Sequence, residues 1–98
     1  MKIILDDRRT FPEGPYNCVR TYDDCIRLLR LFRKAAYLSL DYDLGADNTG
    51  LDVLIYMHEN GLTAEQINIH SDHSEGVPKM RKYAEEHFPG AILTFNQL

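Results

Sequence analysis

Two acidic clusters and one His-Ser pair are the residues of this chain best suited to chemistry: Asp6 with Asp7, Asp41 with Asp43, and His70 with Ser71. The first two follow directly on short apolar runs, Lys2 to Leu5 and Ala36 to Leu40, and the His-Ser pair stands at the end of a third, Gln66 to His70. Carboxylates gathered closely repel one another and need a cation, a proton or an arginine to stay together. Mg²⁺ is satisfied by one or two carboxylates completed by waters and phosphate oxygens. The residue types therefore point to a divalent cation, magnesium or another, held by Asp6, Asp7 and Asp41. Asp47 and Asp52 read instead as helix caps and turn formers.

The cations near these clusters have two readings. Arg8 and Arg20 can fork onto a phosphate or carboxylate of a ligand, or can form structural salt bridges to the aspartates. Ser71 can donate to a phosphate oxygen. His70 can hold a ligand, move a proton near neutral pH, or serve structure alone. His73 lies in the loop beside the candidate site with no role assigned. His58 and His87 fall within helices and read as structural or surface residues. Cys18 and Cys25 lack partners at zinc-ligand spacing and read as reduced cysteines packed in the core. No Walker-type loop, dinucleotide fingerprint or Cys-x-x-Cys is present.

The elements that must position these groups alternate between strand and helix. Lys2 to Leu5 and a weaker Tyr16 to Arg20 are predicted strands, separated by a Pro-Gly loop over Thr10 to Pro15. Thr21 caps a helix that carries Asp23 and Asp24 in its first turn and Cys25, Leu28, Leu29 and Phe32 at helical spacing. Arg27, Arg30, Arg33 and Lys34 form its solvated side. A strand over Ala36 to Leu40 leads through an Asp-, Gly- and Asn-rich loop to a helix over Leu51 to Asn60 that stops at Gly61. A strand at Gln66 to His70, a helix from Val77 to His87 and a strand at Ala91 to Phe95 complete the chain. Such alternation implies βαβ units and a mostly parallel sheet. Ligands of such sheets bind beyond the carboxyl ends of the strands, where all three chemical groups fall.

One face of that sheet is expected to be thin. Ile3, Leu5, Leu38, Leu40, Ile67, Ile69, Leu93 and Phe95 share a face, whereas the other receives Lys2, Tyr37, Ser39, Asn68 and Thr94. Parallel sheets are normally apolar on both faces. Helices are thus predicted mainly on one face, with the other covered by the Arg8 to Tyr16 loop or by a second subunit in a homodimer.

The 98 residues suit a single domain spanning 1–98, and the formal net charge of -4 leaves no basic footprint for broad nucleic-acid binding. No apolar stretch approaches the roughly 18 residues of a membrane span. Met1 to Leu5 is too short for a signal peptide, so a cytoplasmic location is expected.

The motifs Leu5-Asp6-Asp7-Arg8-Arg9, Ser39-Leu40-Asp41-Tyr42-Asp43-Leu44-Gly45 and Ile69-His70-Ser71 resemble the cyclic-phosphate processing receiver-like domains. Val19-Arg20-Thr21-Tyr22 is similar to that family's second block. The family is related to the receiver domains of two-component response regulators. The resemblance implies a flavodoxin-like α/β fold with a five-stranded sheet of order 2-1-3-4-5, here lacking the first and last receiver helices. It implies a metal site at Asp6, Asp7 and Asp41, catalytic roles for Asp41, Asp43 and His70, and a small phosphorylated ligand or nucleotide as partner. The implied activity is metal-dependent, phosphoesterase-type processing of a cyclic phosphate; the alternative is a non-catalytic module that binds a phosphorylated ligand or a protein. Two departures stand out. His73 occupies a position where the family commonly has Asn. The end of the last strand, Thr94-Phe95-Asn96-Gln97-Leu98, lacks the Lys of signalling receivers, which argues against a phosphoryl switch at Asp41.

Overall fold

The computed structural model describes residues 1–9, 11 and 14–97. Of the segments expected above, Thr10, Pro12 and Glu13 in the Pro-Gly loop and the terminal Leu98 lie outside the described residues. The order of elements is β1 (Lys2–Leu5), β2 (Asn17–Val19), α1 (Tyr22–Phe32), β3 (Lys34–Leu40), α2 (Gly50–Glu59), β4 (Thr63–Ile69), α3 (Gly76–His87) and β5 (Ile92–Phe95). All strand pairs are parallel, in the order β2-β1-β3-β4-β5. With three helices among the described residues, this is the expected small receiver-like α/β fold.

Local chemistry sets the helix ends. The Thr21 side chain accepts from the Asp24 amide at 3.2 Å, and Asp23 and Asp24 occupy the first turn of α1. Thr49 and Asp52 form a reciprocal capping box at the start of α2, satisfying two otherwise orphaned amides. Gly61, at φ +67°, lets the chain leave α2 in a left-handed turn that returns the Leu62 amide to the Met57 carbonyl at 2.9 Å.

A single apolar core lies between the helices and one face of the sheet. Ile3, Leu5, Leu38, Leu40, Ile67 and Ile69 project into it and meet Cys25, Leu29, Val53, Leu54, Met57 and Met80 from the helices. Burying each large aliphatic side chain is worth about 1.5–3 kcal/mol. The apolar stripe of α1 is rotated from its sequence-based placement: Ile26 is buried with Cys25 and Leu29, while Phe32 is 47% exposed. Cys18 is also exposed on the edge strand β2, so only Cys25 packs in the core; both are free thiols.

The opposite face is polar and only partly covered. Among the described residues, Phe11 sets its ring edge-on to His70 and Tyr16 packs against Tyr37. The loop between β1 and β2 thus contributes to the cover. Beneath it Ile4, Ser39, Asn68 and His70 are buried, whereas Ile92 is exposed. β3 and β4 each begin earlier than their apolar runs, because Lys34 and Ala35 pair with Thr63 and Ala64. No described helix is long and apolar enough to cross a membrane.

Candidate functional site

The ladder of the sheet extends one residue past its strands and so aligns the chemical groups. The Asp6 amide donates to the Val19 carbonyl at 3.1 Å, Asp41 to Leu5 at 3.1 Å, His70 to Leu40 at 3.0 Å and Asn96 to Ile69 at 3.0 Å. Asp6, Asp41 and His70 therefore stand side by side on adjacent strands. Each offers a ligand atom, and these atoms all lie within 4.8 Å of one another. Such spacing can hold a metal ion, and two carboxylates suit a hard divalent cation.

The three groups are held differently. Asp6 is 1% exposed. Its Oδ1 accepts from the amides of Arg8 and Arg9, both at 2.9 Å, and its Oδ2 lies 3.1 Å from His70 Nε2. Burial pushes its carboxyl up, but the Arg9 and Arg8 amides and His70 outweigh that and hold it below the ordinary value. Asp41 is shifted the other way. Burial and the nearby charge of Asp6 push its carboxyl up, against the opposing pull of the Ser71 hydroxyl and His70. A carboxyl raised by burial, and further by a neighbour's charge, is a position where a cation would be stabilising. Burial pushes the His70 imidazole down despite its contact with Asp6, which favours the neutral ring.

A cleft of about 310 Å³ opens over this edge. Asp6, Asp7, Asp41 and Asp43 line it from the β1 and β3 ends, and Ser71, Asp72 and His73 line it from the β4 end. Arg8 and Arg9 close its rim. Larger grooves of about 570 Å³ and about 680 Å³ lie along α3 and at the opposite edge of the sheet. Neither gathers several aspartates, so it is chemistry rather than size that singles out the acidic cleft.

The structure brings most of the expected residues together, with differences in role. Asp7 lines the cleft outside the tight metal-spaced group, with its Oδ2 3.7 Å from Arg8 Nε. Asp43 is exposed and accepts from the Gly45 amide at 2.9 Å through Oδ1. Arg20 is not in the cleft: its guanidinium donates to the carbonyls of Asp6 and Arg9 and ties β2 to the β1 loop. Arg9, for which no role was expected, is a guanidinium that the structure does bring to the cleft. Its guanidinium lies 3.7 Å from Asp6 Oδ2 and 3.6 Å from Asp72 Oδ2. The spacing of Arg9 three residues after Asp6 was the available signal. His70 is fully buried with both ring nitrogens engaged, since Nδ1 lies 2.6 Å from Ser39 Oγ.

The chain belongs to the cyclic-phosphate processing receiver domain family. That family's model matches residues 1–86, from β1 nearly to the end of α3. No curated protein and no solved structure matches it. In this receiver domain, two glycines let the site loops close on each other. A Cβ on Gly50 would lie 2.1 Å from the Asp41 carbonyl oxygen, so only glycine admits the α2 start so close to that backbone. A Cβ on Gly76 would lie 2.1 Å from the Tyr42 ring. Tyr42 is thereby clasped between Gly76 and the His73 ring, whose centroid is 4.5 Å away. The N-cap of α3, Glu75, makes no side-chain cap bond; His73 caps the turn that leads into the helix instead, accepting the Gly76 amide on Nδ1 at 2.9 Å while its carbonyl accepts from Val77 at 3.1 Å. A hydrogen-bonding side chain three residues ahead of that amide is what an N-cap requires, and an imidazole nitrogen meets the need as an Asn oxygen does.

Proposed function

We propose that the acidic cleft takes a small phosphorylated ligand through a divalent cation, magnesium by the character of its ligands, and opens a cyclic phosphate in that ligand. The observation that carries this reading is the closeness of Asp6 and Asp41. Two carboxylates within 4.8 Å, one raised by burial and then by the charge of the other, are best balanced by a cation. Asp6 and Asp41 would hold it, with Asp7 beside them; when bound, it would polarise phosphoryl oxygens and neutralise their charge.

The protein groups have separable tasks. Arg8 and Arg9 supply positive charge at the rim, and Ser71 supplies a hydroxyl beside Asp41. In hydrolysis, water adds to phosphorus, one ring P–O bond breaks, and the proton of the water ends on the departing oxygen. Asp43, exposed and with Oδ2 free of its turn, is the acceptor suited to take that proton first. His70 is closed to the cleft and acts by holding Asp6.

Binding without turnover has one observation in its favour. The sealing of His70 removes an imidazole that would otherwise face the ligand. Phosphorus NMR with 2′,3′- and 3′,5′-cyclic nucleotides in magnesium separates the two readings. A new phosphomonoester resonance, lost in Asp43→Asn, is expected. Ligand broadening with no new resonance would favour the binding module, and neither effect would overturn both.

A further inference from the structure

The polar face of the sheet carries a run of side chains that leads to the site. Ser39, Asn68 and His70 are fully buried there, where each polar group needs a partner. Their hydrogen bonds have a fixed direction as far as Ser39. The backbone amide of Gln97 can only donate, and it donates to Asn68 Oδ1 at 3.1 Å. The Thr94 hydroxyl donates to the same oxygen at 2.8 Å. The amide of Asn68 is thereby oriented with its nitrogen toward β3, where Nδ2 donates to Ser39 Oγ at 3.0 Å. Ser39 Oγ, an acceptor on that side, lies 2.6 Å from His70 Nδ1, and assigning the hydroxyl hydrogen to that contact makes Nδ1 the acceptor. A neutral ring that accepts on Nδ1 carries its hydrogen on Nε2, and Nε2 meets Asp6 Oδ2 at 3.1 Å.

The consequence falls on Asp6. A carboxylate has about four lone-pair sites. Two on Oδ1 are filled by the amides of Arg8 and Arg9, and one on Oδ2 by His70. One on Oδ2 remains. We propose that Ser39 and Asn68 are positioning residues: the chain from Gln97 to His70 sets the imidazole as an Nε2–H donor and so presents one lone pair of Asp6 to the cation. This rests on the reading of Asp6 as a cation ligand. Neither Ser39 nor Asn68 lines the cleft.

Long-range ¹H–¹⁵N spectra of the histidine rings test the chain in the metal-free protein. His70 is expected as the Nε2–H tautomer in the wild type. Asn68→Asp cannot donate to Ser39 and is expected to place the hydrogen on Nδ1. Magnesium affinity, read by calorimetry, is expected to fall about 10- to 100-fold in Ser39→Ala and Asn68→Asp, the usual effect of removing a group that orients a ligand. Ser39→Thr, which keeps the hydroxyl, is expected to retain it. A wild-type Nδ1–H tautomer overturns the chain without using any variant. Unchanged affinity in both variants overturns the positioning role. No magnesium binding by the wild type, with the tautomer as expected, overturns the cation reading and this role with it.

Discussion

His70 Nε2 lies 3.1 Å from Asp6 Oδ2, and both side chains are sealed from solvent. This contact joins the polar face of the sheet to the acidic edge. It makes the imidazole a holder of the carboxylate, with a consequence for acid stability. The His70 ring is shifted down by burial. Its contribution is therefore fully present above the unfolded value of about 6.5 and is lost as pH falls through the lower folded value. Asp6 is also held low, and its contribution is lost at still lower pH, below about 3.9. Urea midpoints should fall as pH drops from 7 toward 5, and that part of the slope should vanish in His70→Asn. A flat wild-type profile would contradict the placement of His70.

Asp41 has the opposite sign. Its carboxyl is raised, so its contribution to stability is present below about 3.9 and is lost as pH rises through the folded value. At neutral pH the ionised group weighs against the metal-free fold. Asp41→Asn should raise the metal-free Tm, measured by thermal unfolding at pH 7, whereas a lower Tm would show that Asp41 is already balanced by the protein.

The glycines make a graded series. Gly50→Ala should destabilise by about 1–3 kcal/mol, because its Cβ meets backbone that must shift. Gly61→Ala has open space but φ +67°, and should cost about 1 kcal/mol. Gly90→Ala has neither obstacle and should be near neutral. Chemical denaturation of the three variants gives the order.

His73→Ala should destabilise α3 by about 1 kcal/mol through loss of the cap, while His73→Asn keeps an acceptor for the Gly76 amide and should keep most of the stability. Equal losses in both would show that the His73–Tyr42 ring contact, not the cap, holds this loop.

The thiols should separate by reactivity. Burial pushes Cys25 up to about 12, whereas Cys18 is exposed. Under native conditions a thiol reagent should modify Cys18 alone, with Cys25 following only on unfolding.

Much of this arrangement was legible in the chain because period and punctuation agree. Thr21 and Gly61 mark helix ends, and the apolar runs place Asp6, Asp41 and His70 after adjacent strands. The extra length of β3 and β4 was not legible, since Lys34, Ala35, Thr63 and Ala64 pair through backbone with no apolar signature. Arg9, for which no role was expected, lies over Asp6 and Arg20 does not, because the path of the β1 loop, not residue type, decides which guanidinium reaches it. The burial of His70 was hidden for a similar reason: Ser39 and Asn68 read only as polar residues of a thinly covered face until their hydrogen bonds close across the sheet.

Thermal unfolding with and without millimolar Mg²⁺, on the wild type and on Asp41→Asn, tests the cation site most directly. A ligand at a hundred times its Kd stabilises a fold by about 2.7 kcal/mol. The wild type should show a clear upward shift in Tm that the variant lacks. No shift in the wild type, or an equal shift in both proteins, would contradict a cation held between Asp6 and Asp41.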